Sequence, residues 1–159
     1  ILPNTRLIIV GDGLERKNLE IMVSQSNISD RICFTGSIYQ KDVVKYQSIA
    51  DIFISMNEIS SLSNAVFEAM SCGKCVIALD RGATRELIKD GENGIVIKSF
   101  EELKDAIIKL LSDPSLIARL GSEAKKTIAT WPSWEERVQQ EVDLINSLCE
   151  NNTPLIISK

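Results

Sequence analysis

The run Ser60-Ser61-Leu62-Ser63-Asn64-Ala65-Val66-Phe67-Glu68-Ala69-Met70-Ser71-Cys72-Gly73 holds the residues best suited to chemistry. Small polar residues open an apolar-patterned helix, and a carboxylate follows within its first two turns. Unpaired backbone N–H groups at a helix start suit an anion such as phosphate. Glu68 is poorly placed for phosphate itself, because like charges repel. It can accept hydrogen bonds from a neutral diol, such as the two hydroxyls of a ribose. The pattern predicts a nucleoside diphosphate, with phosphate on the amides around Ser63, Asn64 and Ala65 and the sugar ring on Glu68. A capping-box role for Glu68 would need Ser or Thr at position 65, where Ala65 stands. A plain helix-dipole role survives as the structural alternative. Ser63 and Asn64 are also ordinary N-cap residues.

Other residues able to do chemistry are few. The chain has no histidine, which removes the commonest general base and metal ligand. Cys72-Gly73-Lys74-Cys75 is formally C-x-x-C, but a redox pair wants its reactive thiol at a helix N-terminus. Here Cys72 ends a helix and Cys75 begins a strand. A zinc site would need a second cysteine pair, and Cys33 and Cys149 stand far apart in sequence. All four cysteines read as packing residues of a reducing compartment. Gly11-Asp12-Gly13 could open a dinucleotide fingerprint, but the third glycine position holds Arg16, so a tight turn near a ligand is the better reading. Gly36-Ser37-Ile38 reads as a βα turn. Arg81 and Arg85 could each reach a phosphate, but solvated surface arginines are the better reading.

These residues need a scaffold, and the apolar pattern supplies one. Short apolar runs at residues 6–10, 31–34, 51–55, 75–79 and 95–97 alternate with helical patterns at 14–25, 41–48, 63–72 and 82–89. That alternation predicts an α/β fold, Rossmann-like and doubly wound, with a parallel sheet. The loops beyond the C-terminal strand ends are where ligands sit in such sheets. Here those loops are rich in Gly, Ser and Asn, and the pattern predicts that they form one rim. After residue 97 the alternation stops. Helices follow at 100–112 and 115–130, divided by Asp113-Pro114. A last helix runs from a capping box at Ser133 and Glu136 to about residue 148. Trp131 and Trp134 are expected to anchor it. Residues 1–150 form the expected domain and 151–159 a tail.

Composition narrows the function classes. The 22 acidic and 18 basic residues leave a net charge of -4, so no broad positive field invites nucleic acid. Aromatics are only 5%, which also argues against base-stacking platforms. No apolar stretch is long enough to cross a bilayer.

Taken in order, these pieces resemble the C-terminal, donor-binding half of a GT-B glycosyltransferase of the large retaining group called family 4. The matching segments are Leu-Ile-Ile-Val-Gly-Asp-Gly at 7–13, Ile-Cys-Phe-Thr-Gly at 32–36, Ala-Asp-Ile-Phe-Ile-Ser at 50–55 and Asn-Ala-Val-Phe-Glu-Ala-Met-Ser-Cys-Gly at 64–73. Gly82 with Glu86, Asp90-Gly91 through Asn93-Gly94, the Asp113-Pro114 break and Ser133-Trp134 complete the series. The resemblance implies transfer of a sugar from a nucleotide-diphosphate sugar to an acceptor, with retention and without a metal. The sequence shows no carboxylate pair set for Mg²⁺. The donor is a substrate, and no cofactor is implied. Gly11, Gly13, Gly36, Ser37 and Ile38 become donor-side positions, the last three lining the base through main chain. Glu86 is expected to pin its helix to neighbouring backbone.

One departure bears on catalysis. The family usually places a first glutamate eight positions before the one matched by Glu68, and that position holds Ser60. Glu58 lies two residues earlier and could partly replace it, so Glu58 and Ser60 are the candidate catalytic positions. The resemblance also places a further strand–helix unit and an acceptor domain upstream of Ile1. On that reading the chain alone binds nucleotide weakly and catalyses nothing. The whole protein would then act in polysaccharide or glycoconjugate biosynthesis in the cytoplasm, with membrane contact through the acceptor domain left open. Rival readings are a nucleotide-sugar-binding module without catalysis and a GT-B sugar-nucleotide epimerase. A phosphoryl-accepting receiver domain would need an aspartate ending the third strand, where Ser55 and Met56 stand.

Overall fold

The computed structural model describes residues 4–58 and 63–150, and divides the chain after Asp51 into two compact units. Ser60 and the 151–159 tail lie outside the described residues.

The first unit holds β1 (Leu7–Val10), α1 (Arg16–Ser24), a 3-10 turn at Ser29–Arg31, β2 (Ile32–Gly36) and α2 (Gln40–Ile49). β1 and β2 pair in parallel, Leu7 opposite Ile32 and Ile9 opposite Phe34, with a register shift between Ile9 and Val10. The Gly11 N–H donates to the Gly36 carbonyl at 3.1 Å, which ties the two strand ends together.

The second unit holds β3 (Ile52–Ser55), α3 (Asn64–Ser71), β4 (Cys75–Leu79), α4 (Thr84–Leu87), β5 (Ile95–Ile97), α5 (Phe100–Leu111), α6 (Pro114–Ala129) and α7 (Trp134–Glu150). Its strands run in parallel in the order β3-β4-β5. Central β4 is buried along its whole length, as a parallel strand covered on both faces must be. Its side chains alternate between two cores. Val76 and Ala78 join Val66, Ala69 and Met70 of α3, together with Leu87, Ile88 and Ala124. Cys75, Ile77 and Leu79 join Ile97, Leu110 and Leu120. Gly121 lets α6 pack closely on the turn after α3, because a Cβ there would overlap the carbonyl oxygen of Gly73.

The parallel α/β architecture is the one read from the alternation, and the described strands fall into a two-stranded and a three-stranded sheet. α4 is also shorter than the 82–89 pattern predicts. The Asn93 Oδ1 accepts from the Lys89 N–H at 2.7 Å, and its Nδ2 donates to the Leu87 carbonyl at 3.1 Å and to the Thr127 Oγ1 at 3.0 Å. These bonds draw the chain out of helix and fasten it to α6. The capping box at the start of α7 is present: Glu136 accepts from the Ser133 N–H at 2.7 Å, and the Ser133 hydroxyl accepts from the Glu136 N–H at 3.2 Å. Of the two tryptophans only Trp131 is an anchor, meeting Phe67 edge-on at 5.3 Å. Trp134 is 70% exposed, because α7 stands clear of the core at that point. Among the described residues, no helix is long and apolar enough to cross a membrane.

Candidate functional site

α3 (Asn64–Ser71) is the helix that follows β3 in the chain. Ser63 takes the extended N-cap conformation, φ -76° and ψ 131°, and its carbonyl accepts from the Val66 N–H at 2.9 Å and the Phe67 N–H at 3.4 Å. Its hydroxyl makes no capping bond. A helix of eight residues is held mainly by packing, here by Val66, Ala69 and Met70, each at least 96% buried. The Asn64 N–H meets no acceptor among the described residues, and its side chain is exposed. The end of α3 therefore offers donor capacity while its apolar face fixes its direction.

Glu68 lies one turn further on and is half-buried. Among the described residues its carboxylate has neither a hydrogen-bond nor an ion-pair partner. It is not turned into the packed core, and the structure leaves it able to accept from a ligand. Ala65 is half-buried beside Asn64. Glu58 is exposed a few residues beyond the end of β3.

The β4–α4 turn belongs to the same rim of the second unit. β3 and β4 are in register there, Ser55 opposite Ala78, so the loops that follow both strands leave the sheet side by side. Val66 of the first turn of α3 shares a core cluster with Ala78. Asp80 is anchored by its N–H to the Ile97 carbonyl at 2.7 Å. Arg85 grips the Asp80 carboxylate, Nε to Oδ1 at 2.9 Å and Nη2 to Oδ2 at 2.8 Å. Hydrogen bonding to Arg85 is the main cause holding the Asp80 carboxyl below its ordinary range. The Thr84 hydroxyl donates to the carbonyls of Leu79 and Arg81 at 3.0 and 2.8 Å. Glu86, expected to pin this helix, has an exposed side chain with no partner among the described residues. Thr84 and the Asp80–Arg85 pair do that work instead. A one-carbon hydroxyl reaches the turn's own carbonyls, whereas the Glu86 side chain points to solvent.

In the first unit, the Gly11 and Gly13 amides are already used, the latter donating to Asp12 Oδ1 at 2.9 Å. Asp12 Oδ2 also accepts from Arg16 at 3.0 Å, and Arg16 bonds Glu20 at 2.8 Å, so the residue that breaks the glycine fingerprint stiffens this turn. Gly36 is buried at φ +68°, Ser37 is exposed and Ile38 is half-buried. The C-x-x-C pair lies as its pattern implied, Cys72 at the C-cap of α3 and Cys75 opening β4. Burial pushes the Cys75 thiol up to about 11, away from thiolate chemistry.

Known proteins resemble this chain. EpsD of Bacillus subtilis, named as a glycosyltransferase, is 28% identical over 154 residues, a match that covers 96% of this chain and 40% of EpsD. The crystal structure of Anabaena HepE in complex with UDP-glucose is 25% identical, with a TM-score of 0.81 over 92% of this chain and 42% of HepE. The C-terminal domain of the group 1 glycosyl transferase LpcC from Francisella tularensis is 26% identical, with a TM-score of 0.73 over 81% of this chain and 70% of that structure. The chain thus spans about two fifths of the length of EpsD and HepE. The family model described as glycosyl transferases group 1 matches residues 1–127. With the parallel sheets, α3 and the family pattern all falling within one continuous match, the chain belongs to the glycosyl transferases group 1 family.

Proposed function

We propose that this chain is the donor-binding part of a GT-B glycosyltransferase of the retaining family 4. It would bind a nucleotide-diphosphate sugar for transfer to an acceptor held elsewhere in the protein. The observation that carries this reading is the pairing on α3 of an unengaged, half-buried Glu68 with a helix start whose Ser63 hydroxyl does not cap. The α3 amides take the diphosphate and Glu68 takes the ribose hydroxyls. The solution of HepE with UDP-glucose supports a sugar nucleotide as the ligand.

The chemistry is leaving-group stabilisation. Breaking the anomeric C–O bond puts negative charge on the departing diphosphate, and preorganised N–H donors meet that charge as it develops. With retention, the acceptor attacks from the face the leaving group vacates, so this chain supplies no nucleophile. Glu58 and Ser60 are the proposed positions near the transferred sugar. Gly36, Ser37 and Ile38 are proposed to line the base through main chain, and Gly11 and Gly13, whose amides are already engaged, to lie beside the donor. The reaction is proposed to run without a metal and in the cytoplasm, and the chain by itself to bind but not to transfer.

The test is titration of uridine, guanosine and adenosine diphosphates into the full-length protein. Glu68→Ala is expected to weaken the preferred nucleotide by about 1.5–3 kcal/mol, the range for charge-assisted hydrogen bonds. Unchanged affinity in a folded variant would remove the ribose role. A second reading, nucleotide-sugar binding without transfer, is favoured by Ser60 standing at the usual glutamate position. Radiolabelled sugar transfer by the full-length protein decides between the two.

A further inference from the structure

Two arginines flank the β4–α4 turn, and the structure separates their roles. Arg85 is committed: its guanidinium meets Asp80 at 2.8–3.0 Å through both Nε and Nη2. Arg81 forms no ion pair among the described residues. Its Nη1 donates to the Asp80 carbonyl at 2.7 Å, and the side chain is otherwise exposed. That single bond leaves most of a five-donor guanidinium open to an anion.

Position makes the difference matter. Arg81 lies three residues beyond Ala78, which is paired with Ser55 and clustered with Val66 of the first turn of α3. The turn carrying Arg81 is fixed at three points: the Asp80 N–H on Ile97, the Thr84 hydroxyl on Leu79, and Arg85 on Asp80. An arginine on a stiff turn beside a helix start that offers donors is a ready phosphate ligand.

We propose that Arg81 is a diphosphate-binding side chain of the donor site, and that the Asp80–Arg85 pair is the positioning device that holds it on the rim. This rests on the donor-site reading of α3 and adds to it the cation that meets the phosphates.

The experiment compares a nucleoside diphosphate with its nucleoside in the full-length protein, by calorimetry with UDP, GDP, uridine and guanosine. Arg81→Met is expected to weaken the diphosphate about tenfold, as for loss of a charge-assisted hydrogen bond. It should leave the nucleoside within about twofold, because that ligand carries no phosphate. Arg81→Lys should recover part of the loss. Arg85→Met should weaken the diphosphate less than Arg81→Met does, again sparing the nucleoside. An unchanged diphosphate affinity in Arg81→Met, or an equal loss for nucleoside and diphosphate, would overturn the assignment while leaving Glu68 its role. Wild-type protein that binds none of the diphosphates would overturn the donor-site reading itself, and Arg81 with it.

Discussion

Among the described residues, the stretch up to Asp51 builds one two-stranded sheet and two α-helices, and the stretch from Ile52 onward builds a three-stranded sheet among five. Both units come from the same alternation of apolar runs, yet they bury very differently. In the first, the buried residues among those described are Gly36 and Gln47, and Leu7, Val10, Ile21 and Met22 are all more than 40% exposed. In the second, Met70, Ile77, Leu110 and Leu120 are at 0%. Periodicity tells which side chains share a face, and it does not tell whether anything covers that face. A two-stranded sheet with exposed apolar residues is marginal, whereas a covered three-stranded sheet is not.

The sharpest way to break this contrast is to overfill the tighter unit. Gly121→Ala would drive a methyl group into the Gly73 carbonyl, backbone against backbone. It is expected to cost more than about 3 kcal/mol by urea denaturation, beyond the usual overpacking range. A near-neutral result would mean that α6 does not pack as described. Next comes a matched pair of truncations. Leu120→Ala should cost about 3 kcal/mol, whereas Ile21→Ala on the exposed face of α1 should cost about 0.5 kcal/mol or less. Equal costs would erase the difference between the units.

The smallest effect concerns acid. The Asp80 carboxyl is lowered in the fold by its hydrogen bonds to Arg85. Its stabilisation is therefore fully present above the unfolded carboxylate value, about 4, and is lost as pH falls through the lower folded value. Thermal melts from neutral pH downward should show a shallower acid limb for Asp80→Asn than for the parent chain. A parallel limb would mean the pair is too well solvated to matter.

How legible was all this beforehand? β4 was readable because five consecutive apolar residues match a strand covered on both faces. The start of α7 was readable because Ser133 and Glu136 satisfy each other locally. α3 and its Glu68 were found because a helix start and a carboxylate lie within one short run. The failures were all non-local or rotameric. The Asn93 clip that shortens α4 depends on Thr127, 34 residues away. Trp134 carries the residue type of an anchor but lands where nothing covers it. The division of labour between Arg81 and Arg85 turns on which guanidinium Asp80 captures, and spacing alone ranks them equally.

Asn93 has one more consequence, for how the molecule ages. An asparagine followed by glycine is chemically fragile, because the next backbone nitrogen can attack the side-chain carbonyl and release ammonia. Here Asn93 is 4% exposed and its carboxamide is clasped on both its oxygen and its nitrogen, so the same bonds that end a helix also shield the group from its neighbour. Native chains should resist this decay, and only molecules that have opened around α4 should suffer it.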